Sequence, residues 1–229
     1  MKLKMLTLLL TTAALVSACS DDDGTGPEQS GRVRVVHLSP DAPNVDVLVD
    51  GLIVASDVPY LLASDYLELE AGAHAIEIRP TGSSTTVLEQ NVTVADGSDY
   101  TVLAGGELSA ITLDVLEDDN ALPASGSAKV RLIHAAPSAG LVDIYVTAPG
   151  ADLGAQFPSL VGIDFGDVSP YIEVPAGDYQ VRVTPTGALD VVIDTGTLPL
   201  GSGQIRTGIA VDAPGGGAPY DALILEDLN

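Results

Sequence analysis

The sequence predicts an all-β protein made of two tandem antiparallel β-sandwich domains, and three observations carry that prediction. The first is internal similarity: Val33–Val49 aligns without a gap on Val130–Val146, with 8 of 17 positions identical. The second is a hydrophobic period of two within each copy. Val33 and Val35 alternate with Arg32 and Arg34, Leu67 and Leu69 with Glu68 and Glu70, and Ile76 and Ile78 with Ala75, Glu77 and Arg79. The arginines and glutamates are thereby expected on the solvent face of each strand. The third is the regular recurrence of Gly, Pro, Asp and Asn turn residues every 8–12 positions, with no trustworthy amphipathic helical pattern beyond the N-terminal leader.

The predicted strands of the first copy cover 32–38, 45–50, 65–70, 73–79, 86–94, 99–104 and 109–116. Seven short strands in one unit point to two stacked sheets, each burying one face. The similarity between the copies resumes at Tyr66–Gly72 against Tyr171–Gly177, at Pro80–Gly82 against Pro185–Gly187, and at Leu116–Asp118 against Leu225–Asp227. The expected organisation is therefore a leader over 1–18, a lipidated Cys and flexible tether over 19–31, a first repeat over 32–119, a linker over 120–127 and a second repeat over 128–229. An insertion around Ala148–Val161 distinguishes the second repeat.

The chain has 229 residues, and 46% are hydrophobic, enough for a packed core. Acids outnumber bases 32 to 9, for a formal net charge of −23. Such a surface repels phosphate backbones, which argues against nucleic acid as a partner. Lys2 and Lys4 precede an apolar stretch too short to span a bilayer, the pattern of an export signal. Val16-Ser17-Ala18-Cys19 then resembles the bacterial lipobox, in which the Cys becomes an acylated first residue. Two or more acyl chains give stable membrane anchoring. Cys19 is the single Cys, so the rest of the chain has no disulfide, thiolate metal site or cysteine nucleophile. The polar residues 20–31 would span about 20 Å on average and at most about 40 Å. Ser20 stands where an inner-membrane retention signal commonly has Asp, which favours the outer membrane over the inner in a diderm cell.

The segments 37–47 (HLSPDAPNVDV), 65–72 (DYLELEAG) and 78–82 (IRPTG) resemble DUF4397, a bacterial family of exported and often lipid-anchored domains. That resemblance implies an immunoglobulin-like or transthyretin-like fold in tandem copies, and it implies no established activity. Ala136, Ser138 and Gly140 replace Ser39, Asp41 and Pro43, so the second copy departs from the motif.

Candidate chemistry centres on matched residues. His37, Pro40 and Asp46 recur as His134, Pro137 and Asp143. Imidazole and carboxylate can share a cation or sense pH, but one of each per domain is too few for a tight transition-metal site. The favoured reading is structural: the ring satisfies backbone groups of the Pro-stiffened loop beside it. His74 reads as a surface residue. Ser39, His37 and Asp46 assemble a Ser–His–Asp set on paper, without a nucleophile elbow around the Ser. Glu117, Asp118, Asp119 and Asn120 at the domain junction are candidate calcium ligands, as are Asp41, Asn44 and Asp46, although neither run has EF-hand spacing. Tyr66 and Tyr171 read as sheet-packing residues with bonded hydroxyls rather than as a sugar platform, since the chain has no Trp. The sequence reading is thus a lipid-anchored cell-envelope protein, not an enzyme, with a binding or structural role towards an envelope protein or glycan. A calcium-dependent adhesion module is its alternative, and a secreted hydrolase the remote one.

Overall fold

The computed structural model describes residues 29–227, so the leader, Cys19 and most of the tether lie outside the described residues. The first half contains β1 (Ser30–Leu38), β2 (Val45–Val49), β3 (Leu52–Val58), β4 (Leu67–Glu70), β5 (Gly72–Pro80), β6 (Leu88–Val94), β7 (Asp99–Gly105) and β8 (Thr112–Asp118). The second contains β9 (Ser127–His134), β10 (Val142–Thr147), β11 (Leu160–Ile163), β12 (Ile172–Pro175), β13 (Gly177–Pro185), β14 (Ile193–Asp194), β15 (Leu198–Leu200), β16 (Ile205–Val211) and β17 (Asp221–Glu226). Among the described residues the remaining elements are short 3-10 turns, and no helix is long and apolar enough to cross a membrane.

The all-β sandwich architecture stands. In the first half, sheet β4-β1-β7-β8 packs on sheet β3-β2-β5-β6. In the second, β12-β9-β16-β17 packs on β11-β10-β13-β14, with β15 also paired to β13. Most strand pairs are antiparallel, but β1 runs parallel to β7 and β9 parallel to β16. The chain leaves β1 for the opposite sheet, returns beside it antiparallel as β4, crosses again and re-enters on its other side as the parallel β7, and β9, β12 and β16 repeat this path.

Sequence reading missed β3. Its register on β2 shifts twice, Asp57 has a φ of 56°, and Leu52 and Ile53 are 73% and 62% exposed. Bulges of that kind interrupt the period-two signal that identifies a strand. Gly31, at the start of β1, lies against the turn that follows β6. A Cβ there would stand 2.6 Å from the Ser98 carbonyl oxygen, so only glycine permits the approach.

The sheets containing β1 and β9 are covered on both faces. Val33 and Val35 point into the core of the first sandwich, and Leu132 into that of the second. Val36, Leu38 and Leu103 instead meet Ile133, Ile209, Val211 and Leu225 across the junction of the halves. The result is four stacked layers of sheet with three apolar cores. Each fully buried Val, Leu or Ile contributes about 1.5–3 kcal/mol, so the junction is a core in its own right. Tyr60 adds a cross-junction bond to the Asp212 carbonyl at 2.9 Å, and the Gly215 amide donates to the Pro40 carbonyl at 2.7 Å.

Candidate functional site

His37 and His134 close β1 and β9, and both rings are fully buried. His37 Nδ1 accepts from the Ser39 amide at 3.4 Å, while Nε2 meets the Pro43 carbonyl at 3.2 Å. His134 repeats the arrangement with the Ala136 amide at 3.3 Å and the Gly140 carbonyl at 2.9 Å. An amide donating to Nδ1 requires the proton on Nε2, so each ring is a neutral staple across its Pro-containing loop. The matched acids act elsewhere. Asp46 accepts from the Asp57 amide at 2.9 Å, Gly82 amide at 3.3 Å and Thr81 hydroxyl at 3.3 Å. Asp143 accepts from the Gly162 and Gly187 amides at 2.8 and 2.9 Å. No hydrogen bond links His37 to Asp46 or to the Ser39 hydroxyl, which is buried without a partner. The paper triad is therefore not assembled.

His74 is not a solitary surface residue. Its Nδ1 meets Asp50 at 2.7 Å and its Nε2 the Glu70 carbonyl at 2.8 Å. The Asp50 bond, with the Glu70 carbonyl second, raises His74 above its ordinary value near 6.5, whereas burial pushes His37 below it. The two act oppositely on stability. A lowered His loses stability as pH falls through the window beneath 6.5, because the unfolded chain binds the proton more readily. A raised His contributes stability below 6.5 that disappears as pH rises through its folded value. In a His74→Gln variant the melting temperature should therefore fall more steeply between about pH 7 and pH 5 than in the parent chain. A fall no steeper than the parent's would show that the Asp50 and Glu70 contacts do not favour protonated His74 in the folded chain.

The strongest electrostatic cluster crosses the junction. Arg34 pairs with Asp227 of the other half, and Arg131 pairs with Asp118 at 2.7 Å. All four side chains are at most 3% exposed. The two pairs have matching surroundings: Nε of Arg34 donates to Thr101 at 2.8 Å and Nε of Arg131 to Thr207 at 3.2 Å. Tyr66 and Tyr171 lie under the guanidinium groups at 4.8 and 4.7 Å, and their hydroxyls donate to Asp118 and Asp227 at 2.7 and 3.2 Å. Burial, and then the neighbouring carboxylate, push both phenols up.

This cluster corrects the expectation that alternating arginines face solvent. Arg34 is 3% exposed because a second sheet covers the face the period-two pattern leaves polar. Of the candidate calcium ligands, Asp118 belongs to this cluster and the other three have partners beside it. Asp118 is held by Arg131, Tyr66 and Thr101, and Asp119 pairs with Lys129 at 2.8 Å. Asn120 donates to Asp99 at 2.7 Å, and Glu117 accepts from Ser98 at 3.4 Å. Among the described residues no group of three or more His, Cys, Asp or Glu is disposed to hold a metal ion. The insertion folds a short 3-10 turn over Leu153–Ala155, buries Leu153 and leaves Phe157 93% exposed.

A family model described as a domain of unknown function (DUF4397) matches residues 31–145, just over half of the 229. The chain belongs to that family. In this DUF4397 protein the match runs past the first sandwich through β9 and into β10. It includes both partners of the Arg131–Asp118 pair but not Asp227, the partner of Arg34. No curated protein matches the chain. Similar solved structures include a leucine-rich repeat protein from Bacteroides thetaiotaomicron, at 17% identity and TM-score 0.21, over 81% of this chain. The DUF4397 protein spans about a quarter (26%) of that chain's length. Two further structures concern streptococcal virulence factors. One, described by its alpha-glucan binding, is 14% identical with TM-score 0.26, over 78% of this chain and 92% of its own. The other, described by alpha-glucan recognition through family 41 carbohydrate-binding modules, is 11% identical with TM-score 0.26, over 84% and 96%.

Arg34, Arg131 and Asp227 are the residues that sequence reasoning overlooked. Their signal was present: in Val35-Val36 and Leu132-Ile133 two successive apolar residues break the alternation, as a strand buried on both faces does.

Proposed function

We propose that this protein is a non-catalytic module of the cell envelope. Acyl chains on Cys19 hold it at the membrane, residues 20–31 give it reach, and the two sandwiches act as one rigid body that offers its loops to an envelope protein or glycan. One observation supports this reading above the others. The polar side chains best suited to chemistry are engaged in holding the fold: His37 and His134 bond loop carbonyls, Asp46 and Asp143 accept from backbone amides of neighbouring strands and turns, and Asp118 meets a buried arginine. These hydrogen bonds direct the groups at the protein's own backbone and at one another, which supports a role in the fold over one at a substrate.

Anchoring is tested by supplying an alkyne-bearing fatty acid to cells that express the parent chain or Cys19→Ala. The parent should take up the label and sediment with the outer membrane, and the variant should lose both properties. A variant that stays labelled and membrane-bound overturns the anchoring. Display is tested by offering the immobilised chain envelope glycan fragments and, separately, envelope proteins; saturable binding of neither class overturns it.

A further inference from the structure

The interior of the second sandwich holds an apolar cavity of about 90 Å³, bordered by Val130, Val146, Val181, Val183, Gly208 and Ala222 among others. Its origin can be traced position by position. β16 lies on β9 as β7 lies on β1, which sets Arg206 where the first sandwich has Tyr100, and Gly208 where it has Val102. By the same registers Ala222 corresponds to Leu113, Val181 to Ile76, and Val183 to Ile78. Leu132, Ile144 and Ile224 are each one carbon larger than Val35, Val47 and Val115, and return part of the missing bulk. The balance is visible in burial: the first sandwich core has 13 buried residues and the second has 6.

The cavity opens at one end. Val33, Val49 and Ile76 are at most 6% exposed, whereas their counterparts Val130, Val146 and Val181 are only partly buried. At that end the edge strand is broken. β6 is continuous over seven residues, but residues 195–197 separate β14 from β15, with Gly196 at φ 63°. Arg206 lines the same cavity, its guanidinium 3.2 Å from a Glu226 carboxylate that is 80% exposed.

We propose that the second sandwich is a binding site for the end of an unbranched alkyl chain, inserted between its sheets past the β14–β15 break. An apolar cavity stays dry and accepts apolar guests, since its lining lacks dispersion partners on one side. A cavity of about 150 Å³ holds a benzene ring. At about 90 Å³ this one suits a slimmer occupant, and its partly open end lets the rest of the molecule remain outside.

The test uses the full chain with labelled Ile, Leu and Val methyl groups, titrated with n-hexanol and followed by NMR. Saturable shifts should appear at Ile144, Val181, Val183 and Ile193 and be absent at Val47, Ile76 and Ile78. The double variant Val181→Ile/Val183→Ile, which adds one methylene at each position, should weaken hexanol binding at least tenfold; Ala222→Leu should do the same from the opposite sheet. Cyclohexanol, wider than the chain, should bind at least tenfold more weakly than n-hexanol. No saturable shift, equal shifts in both sandwiches, undiminished binding by the folded variants, or equal affinity for cyclohexanol would each overturn the proposal.

Discussion

Replacing Arg131 with Ala is expected to lower the unfolding free energy by about 3–5 kcal/mol, the usual consequence of leaving one partner of a buried ion pair alone. Arg131 and Asp118 are 3% and 0% exposed, so Asp118 would keep the Tyr66 and Thr101 hydroxyls as donors but lose its counter-charge. The Glu117 carbonyl would lose a donor and Tyr171 the nearer of the two cations over its ring, keeping Lys129 at 5.4 Å. Chemical denaturation of the full chain measures the effect. Arg131→Lys should fall between parent and Ala, because an ammonium preserves charge but not the fork that reaches Asp118, Thr207 and Glu117 together. The paired replacement Arg131→Met with Asp118→Leu should cost less than the sum of the two single replacements, since it removes both charges at once, although it leaves the Tyr66 and Thr101 hydroxyls without their acceptor. A loss below about 1 kcal/mol for Arg131→Ala would mean that water reaches the pair as it does at a surface.

The same cluster marks where sequence reading succeeded and where it stopped. Period-two alternation and frequent turn residues were enough for the all-β class, because they follow from the geometry of a half-buried strand. They do not say what covers the other face. Arg34 lies between valines and Arg131 between Val130 and Leu132, as surface arginines do, and only the sheet packed against them makes them interior. Asp118, read beside Glu117 and Asp119, has the look of a solvated acidic run; its arginine comes from β9, beyond the turn. The histidine staples were easier, since a ring beside a Pro-containing loop has nearby amides and carbonyls to satisfy. β3 escaped because two register shifts erase its alternation.

The uneven packing of the two sandwiches leads to the other large expected effect. Ile76→Ala should cost about 2–5 kcal/mol, the range for truncating a large aliphatic side chain in a filled core. Ile76 is 0% exposed and packs among Val49, Ile78 and Val102, so the three missing carbons leave a void that its neighbours cannot close. The corresponding change in the second half, Val181→Ala, removes two carbons from a side chain that is partly exposed and already borders the cavity. With little new void to create, only the transfer contribution remains, about 1–2 kcal/mol at roughly 0.8 kcal/mol per carbon. Urea unfolding of the two full-length variants against the parent measures the contrast. Its direction carries the argument: equal losses per carbon removed would mean that the second sandwich is packed as tightly as the first and that Gly208 and Ala222 are fully compensated by Leu132 and Ile224. Because Ile76→Ala removes one carbon more, the losses are compared per carbon removed, and a larger loss per carbon at Ile76 is the result that goes with an interior short of bulk at Gly208 and Ala222.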